Sequence, residues 1–159
     1  MDPASILAIA GTSSRLAKTG WDIGETLYTF IKDTKVVDKT MIALAAQAKA
    51  VKDPCELLDA LLQAISQDIG SKRGIKKTRQ GQLFISALSR IASQLEECGQ
   101  ALEALRQSTA GIRTGKKNVA AKALMQIRLN MSKEQMSEAR SKLSLHVSAL
   151  GVSLQILSM

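Results

Sequence analysis

Residues 84–105 read FISALSRIASQLEECGQALEAL. Within this stretch Phe84, Leu88, Ile91, Leu95, Cys98, Leu102 and Leu105 follow one another at alternating steps of four and three without a miss. That spacing keeps every one of them on a single helix face, whereas a strand would bring them round at steps of two. The result is a coiled-coil-like seam several turns long. It predicts a helix that stops near Ile112, ahead of Thr114-Gly115.

Upstream, the chain opens with Asp2 as a candidate N-cap and Pro3 at the first helical position, where a missing N–H costs nothing. Ile6, Ala10, Ser13, Ala17, Gly20, Gly24, Leu27 and Ile31 then trace one face of a helix ending near Lys32, and the middle of that stripe is small. A second helix is expected from about Thr34–Lys39, with Val36, Val37, Ile42, Leu44, Ala45, Ala48 and Val51 as its apolar face. Asp53-Pro54 looks like a fresh N-cap and first position, so the helix should kink or restart there. Leu57, Leu58, Leu61, Leu62 and Ile65 carry it to about Ile69, and Gly70 closes it. Downstream of the seam, Leu124, Ile127 and Met131 form a first face. Ser132 with Gln135 three residues on is a capping box, which places a break near 130–132. Leu143, Val147, Leu150, Leu154 and Leu157 then repeat the seam.

These patterns predict an all-α, antiparallel up-down bundle of four long helices, closed by short links, in one domain spanning residues 1–159. In the simplest closure the link between the second and third helices lies beside the start of the first. Composition agrees: aromatics are 3%, the prolines number two, and hydrophobic residues reach 45%, enough for a packed core.

Several function classes are disfavoured. The two cysteines, Cys55 and Cys98, have no metal-ligand spacing, and His146 is the sole histidine. Neither a zinc site nor a disulfide scaffold fits, and both thiols are expected reduced in the core, as in a cytosolic protein. Glu96 and Glu97 are adjacent and point apart on a helix, so they make no paired-carboxylate site. No phosphate-cradling GxxxxGK[ST] occurs. The expectation is a non-enzyme without a cofactor. No signal peptide is expected, and no run of about twenty uncharged apolar residues is present.

The net charge of +8 is concentrated. Residues 71–81 carry +5 and residues 111–159 carry +6, while the stretches 1–33, 34–70 and 82–110 each carry −1. Glycine and like-charge repulsion predict a mobile basic loop over about 70–81. Its Lys72, Arg73, Lys76, Lys77 and Arg79 suit anionic lipid headgroups at about 1 kcal/mol each. A nuclear-localisation or RNA-binding patch has the same composition, and so does a merely solvated loop. Two further features have paired readings. The line Ser13, Ala17, Gly20, Gly24 contains GxxxG, which serves close helix–helix contact either in a membrane oligomer or in a soluble bundle. Ile6, Leu7, Ile9 and Leu16 could enter a bilayer as an interfacial or pore-lining helix, or could belong to an ordinary core helix. Trp21 is expected as a partly buried packing residue.

Four stretches together resemble a known family: MDPASILAIAG (1–11), LAKTGWDIGETLYTFIKDTKVVDKTMIALAAQAKAV (16–51), LEECGQALEALRQST (95–109) and QIRLNMSKEQMSEARSKLSLHVSALGVSLQIL (126–157). In order and spacing they are similar to the fungal HeLo-like N-terminal domain of STAND and NOD-like receptors. The resemblance implies a bundle like the executioner domain of necroptosis pseudokinases, acting in heterokaryon incompatibility and programmed cell death. It further implies self-association, and release of the first helix to permeabilise the plasma membrane from the cytoplasm. The implied partners are anionic membrane lipids and a nucleotide-binding receptor module in the same or another chain. Nucleic acid is the less favoured partner. A non-lytic helical adaptor is the alternative. The chain would then be either an excised domain or a short stand-alone member.

Overall fold

The computed structural model describes residues 3–34, 39–71, 79–109 and 132–158. Five helices result: α1 (Pro3–Thr34), α2 (Lys39–Ala50), α3 (Lys52–Ser71), α4 (Arg79–Thr109) and α5 (Lys133–Ser158). Because α2 and α3 run on from one another through Val51, the architecture is an all-α bundle of four rods, with no strand among the described residues.

The α4 seam forms the spine of the core. Leu88, Ile91, Cys98 and Leu102 are fully buried, and Leu95 and Leu105 nearly so, with Phe84 packed at the edge. Each large aliphatic taken out of water contributes about 1.5–3 kcal/mol, so this one face supplies a large share of the driving force. The face of α1 predicted from its spacing is also the buried one, from Ile6 through Ala10, Ser13 and Ala17 to Leu27. Pro3 is the first residue of that helix, as expected.

The break in the second rod falls at Val51, earlier than the Asp53-Pro54 restart expected from sequence. Proline at 54 has no N–H, and its ring crowds the carbonyl four residues back, which is Ala50, the last residue of α2. The last turn of α2 tightens, Val51 N donating to Ala48 O at 3.4 Å. The ladder resumes with Cys55 N donating to Val51 O at 3.3 Å. Pro54 thus sits inside the first turn of α3, where a lost donor matters least. Asp53 is not the cap but a first-turn carboxylate, favourable at the positive helix end. The buried face nevertheless stays in phase across this break, Met41, Leu44, Ala48, Val51, Cys55, Leu58 and Leu62 following one another at steps of three and four. Ile42 and Leu57, placed on the apolar face by the sequence reading, are instead exposed, Leu57 to 63%.

At the other predicted break the capping box forms in full. Gln135 N donates to Ser132 Oγ at 3.2 Å, and Ser132 N donates to Gln135 Oε1 at 2.9 Å. Leu143 and Leu150 are buried beyond it, with Val147, Leu154 and Leu157 partly so. Met136 joins them in the core, unanticipated. The expected faces at Val36, Val37, Leu124, Ile127 and Met131 lie outside the described residues.

α1 runs antiparallel to the α2–α3 rod: Ser13 meets Cys55, Gly20 meets Ala48, and Gly24 meets Ala45. α1 also packs on α4, and α5 packs on α4, α2 and α3. The order around the bundle is therefore α1, the α2–α3 rod, α5, α4, so consecutive rods two and three face each other across the diagonal. Chain length permits this. Residues 72–78 can reach about 28 Å, against a diagonal of about 14 Å for helices spaced by about 10 Å. The same reach is shorter than α4, which is about 46 Å long. α4 must therefore start at the end of the bundle where α3 finishes and α1 begins.

Candidate functional site

Two of the three features singled out in the sequence lie on α1. The first is its line of small residues. A Cβ built on Gly20 would lie 2.6 Å from the Ala48 carbonyl oxygen and 3.1 Å from Val51 Cβ. One on Gly24 would lie 2.8 Å from the Ala45 oxygen and would also overlap the Lys49 side chain. Both glycines therefore let the backbone of α1 close onto α2. Ser13, wholly buried, donates its hydroxyl to the Cys55 carbonyl at 2.6 Å. That carbonyl belongs to the first turn of α3. The whole line Ser13, Ala17, Gly20, Gly24 is buried in the closed bundle. Gly11 differs from the other two: nothing stands within 4 Å of its Cβ position.

The second feature is the set Ile6, Leu7, Ile9 and Leu16. Ile6 is fully buried and Leu16 is 8% exposed, while Ile9 packs partly against the core. Leu7 points outward at 49% exposure. In the closed bundle, three of the four thus serve the core. Leu16 begins a second stripe that the sequence reading left out. Leu16, Ile23 and Phe30, each seven residues apart, are all buried. Leu16 Cδ2 stands 3.3 Å from the Cβ position of Gly99 on α4. The seven-residue spacing was the available signal.

The basic set is not placed. Lys72, Arg73, Lys76 and Lys77 lie outside the described residues. Arg79 opens α4, but its side chain is also outside them.

A cluster not foreseen from sequence occupies the outer edge of the α1–α2 contact. Lys49 lies with its ammonium 4.7 Å from the Trp21 ring centroid and 4.9 Å from that of Tyr28. The same nitrogen is 2.7 Å from Glu25 Oε1. Lys52 stands 4.4 Å from the Trp21 centroid. Trp21 and Tyr28 are 38% and 55% exposed, so Trp21 is partly buried as expected, with its ring packed against lysine side chains from the neighbouring rod. Their negatively polarised faces are the surfaces a cation favours.

Cys55 and Cys98 are free and buried. Burial pushes the Cys55 thiol up to about 11, partly offset by the neighbouring Ser13 hydroxyl. Burial pushes Cys98 up to about 12, helped by the nearby Cys55. Thiols so strongly protonated are poor nucleophiles at neutral pH. No group of three or more His, Cys, Asp or Glu side chains among the described residues could hold a metal ion. Nor is any described helix long and apolar enough to cross a membrane.

α5 carries an outward apolar line. Leu145, Val152 and Ile156 are 70%, 57% and 48% exposed, with the half-buried Ala149 between them. The steps of four, three and four put all of these on one face, distinct from the inward seam.

Compared with family models, with curated proteins and with solved structures, the chain gives no match.

Proposed function

We propose that this chain is the N-terminal effector domain of a fungal cell-death protein of the HeLo-like kind. In this reading it is held in the cytoplasm and recruited to the plasma membrane, where it self-associates and engages anionic lipid through the first half of α1. One observation carries the proposal: that half is an amphipathic helix whose inward line is built mostly of small side chains. After the buried Ile6 that line runs through the small side chains of Ala10, Ser13 and Ala17, and on the exposed side a Cβ added at Gly11 would meet nothing within 4 Å. A helical glycine without a packing role costs about 1 kcal/mol relative to alanine, so the segment is weakened where it could be freed. Once out, Ile6, Leu7, Ile9 and Leu16 supply the apolar surface. Arg15 among them favours a helix lying in the interface or lining a pore over one spanning alone.

Dye release from anionic vesicles tests this. The full chain should cause leakage, and removal of residues 1–11 should abolish leakage while the far-ultraviolet helical signal largely persists. A full chain that leaves vesicles intact contradicts the proposal. Exchanging Lys72, Arg73, Lys76, Lys77 and Arg79 for Gln should weaken vesicle binding without unfolding the bundle. Unchanged binding would remove those residues from the account.

The alternative, a non-lytic adaptor that docks other helices, is favoured by a different observation. The exposed line Leu145, Ala149, Val152, Ile156 on α5 is the kind of face one helix offers to another. Replacing Leu145 and Val152 with Ser should then disrupt partner capture and leave vesicle behaviour unchanged.

A further inference from the structure

We infer that Trp21, Glu25 and Tyr28, together with Lys49 and Lys52, form a clasp that pins the second half of α1 to the α2–α3 rod and confines any opening of α1 to residues ahead of Gly20. The three α1 residues follow one another at steps of four and three, so they line a single edge of the helix over two turns. Lys49 reaches across from α2 and meets all three: the Glu25 carboxylate at 2.7 Å and the two rings at 4.7 and 4.9 Å. Lys52, just past the Val51 break, adds a second cation over Trp21 at 4.4 Å. The clasp therefore ties α1 to both halves of the rod.

Gly24 makes this geometry possible. A side chain there would collide with the Lys49 stem and with the Ala45 carbonyl, so glycine is what lets Lys49 lie across α1 toward Glu25. The Lys49 side chain is only 25% exposed, which shelters its contacts from water relative to an open surface pair. Ahead of Gly20 the ties are of another kind. There α1 is held by burial of Ile6, Ala10, Leu16 and Ala17 and by the Ser13 hydrogen bond to the Cys55 carbonyl, while Arg15 bonds Thr12 on its own helix at 3.3 Å. Any opening of α1 is thus bounded to its first half, about five turns, and the clasp marks where it stops. This holds whether the freed segment meets a membrane or a protein.

Amide hydrogen exchange on the full chain, with Lys49→Met and Lys52→Met combined, tests the clasp. Methionine keeps much of the stem and removes the charge. Exchange at amides 21–30 should rise about 10-fold, the size expected from losing several half-exposed cation–π and ionic contacts together. Amides 4–12 and 91–102 should keep their rates. Glu25→Gln, which removes one contact, should give a smaller rise in the same window. Glu103→Gln, which breaks an exposed pair with Arg106 on α4, should leave that window unchanged. Three results would overturn the inference: unchanged exchange at 21–30 in both clasp variants, an equal rise along α1 and α4, or exchange at 21–30 in the parent chain as fast as at 4–12.

Discussion

α1 and α4 are nearly equal in length, 32 and 31 residues, and each presents a four-and-three stripe to the same core. They are held in opposite ways. α4 buries large aliphatics and derives its hold from area. Over residues 10–24, α1 buries alanine, serine and glycine along its line to α3 and α2, and there derives its hold from close backbone approach. A hold by area persists as the helix shifts slightly, because dispersion and burial are spread over many atoms. A hold by close approach depends on a few contacts at short range, and it ends where the small residues end. The period of a stripe thus identifies the buried face, and the size of its residues identifies what kind of hold that face gives.

The largest expected effect lies on α4. Leu95→Ala removes a side chain that is 1% exposed from mid-seam, and should cost about 2–5 kcal/mol in urea unfolding. A silent substitution would break the contrast, because area would then not be what holds α4. On α1 the sensitive change is an addition. Gly20→Val forces a side chain toward the Ala48 carbonyl and Val51, and should cost about 1–3 kcal/mol by overpacking. If it is tolerated, close approach is not what holds α1.

The two thiols report on both helices, since Cys98 belongs to the α4 seam and Cys55 offers its carbonyl to Ser13 of α1. Their folded values of about 11 and about 12 lie above the ordinary 9.0 because burial disfavours the thiolate. The folded state therefore holds its protons longer than the unfolded state. The contribution is intact below about pH 9 and is lost as pH rises from there through the folded values, at up to about 1.4 kcal/mol per pH unit for each thiol. Stability should fall over pH 9–11, and less steeply in a Cys55→Ala, Cys98→Ala chain. Identical slopes would mean that the thiols are hydrated and the interface between α1 and its neighbours is loose. The smallest effect is a gain. Gly11→Ala adds a methyl group where nothing stands within 4 Å, and should stabilise the bundle by about 0.5–1 kcal/mol. A loss there would mean that the start of α1 is packed as tightly as its middle.

Much of this was legible in the sequence, for local reasons. The α4 seam, the α1 line and the Ser132–Gln135 box are each set by spacing within a few turns, and all three appear where spacing put them. What was not legible depends on chain meeting chain. Pro54 advertises a break, but the carbonyl it crowds is one turn earlier, so the break falls at Val51; Ile42 and Leu57 lie beside the buried line of Met41 and Leu58, and which of two adjacent apolar residues turns inward is decided by the neighbouring helix. The diagonal placement of α4 depends on which faces match across the bundle, and helix periodicity carries no such information. Nothing in the local sequence singles out Lys49, and the edge Trp21, Glu25, Tyr28 gains its meaning only from that partner on another helix.

The central claim is that the start of α1 is the loosest part of the described bundle and the middle of α4 among the tightest, and site-resolved amide exchange of the unmodified chain addresses it most directly. The account predicts that amides 4–12 exchange at least about 10-fold faster than amides 91–102, consistent with local opening well below the free energy of global unfolding. If amides 4–12 are instead the most protected in the chain, α1 cannot be the element that leaves, and the adaptor reading becomes the better description of this protein.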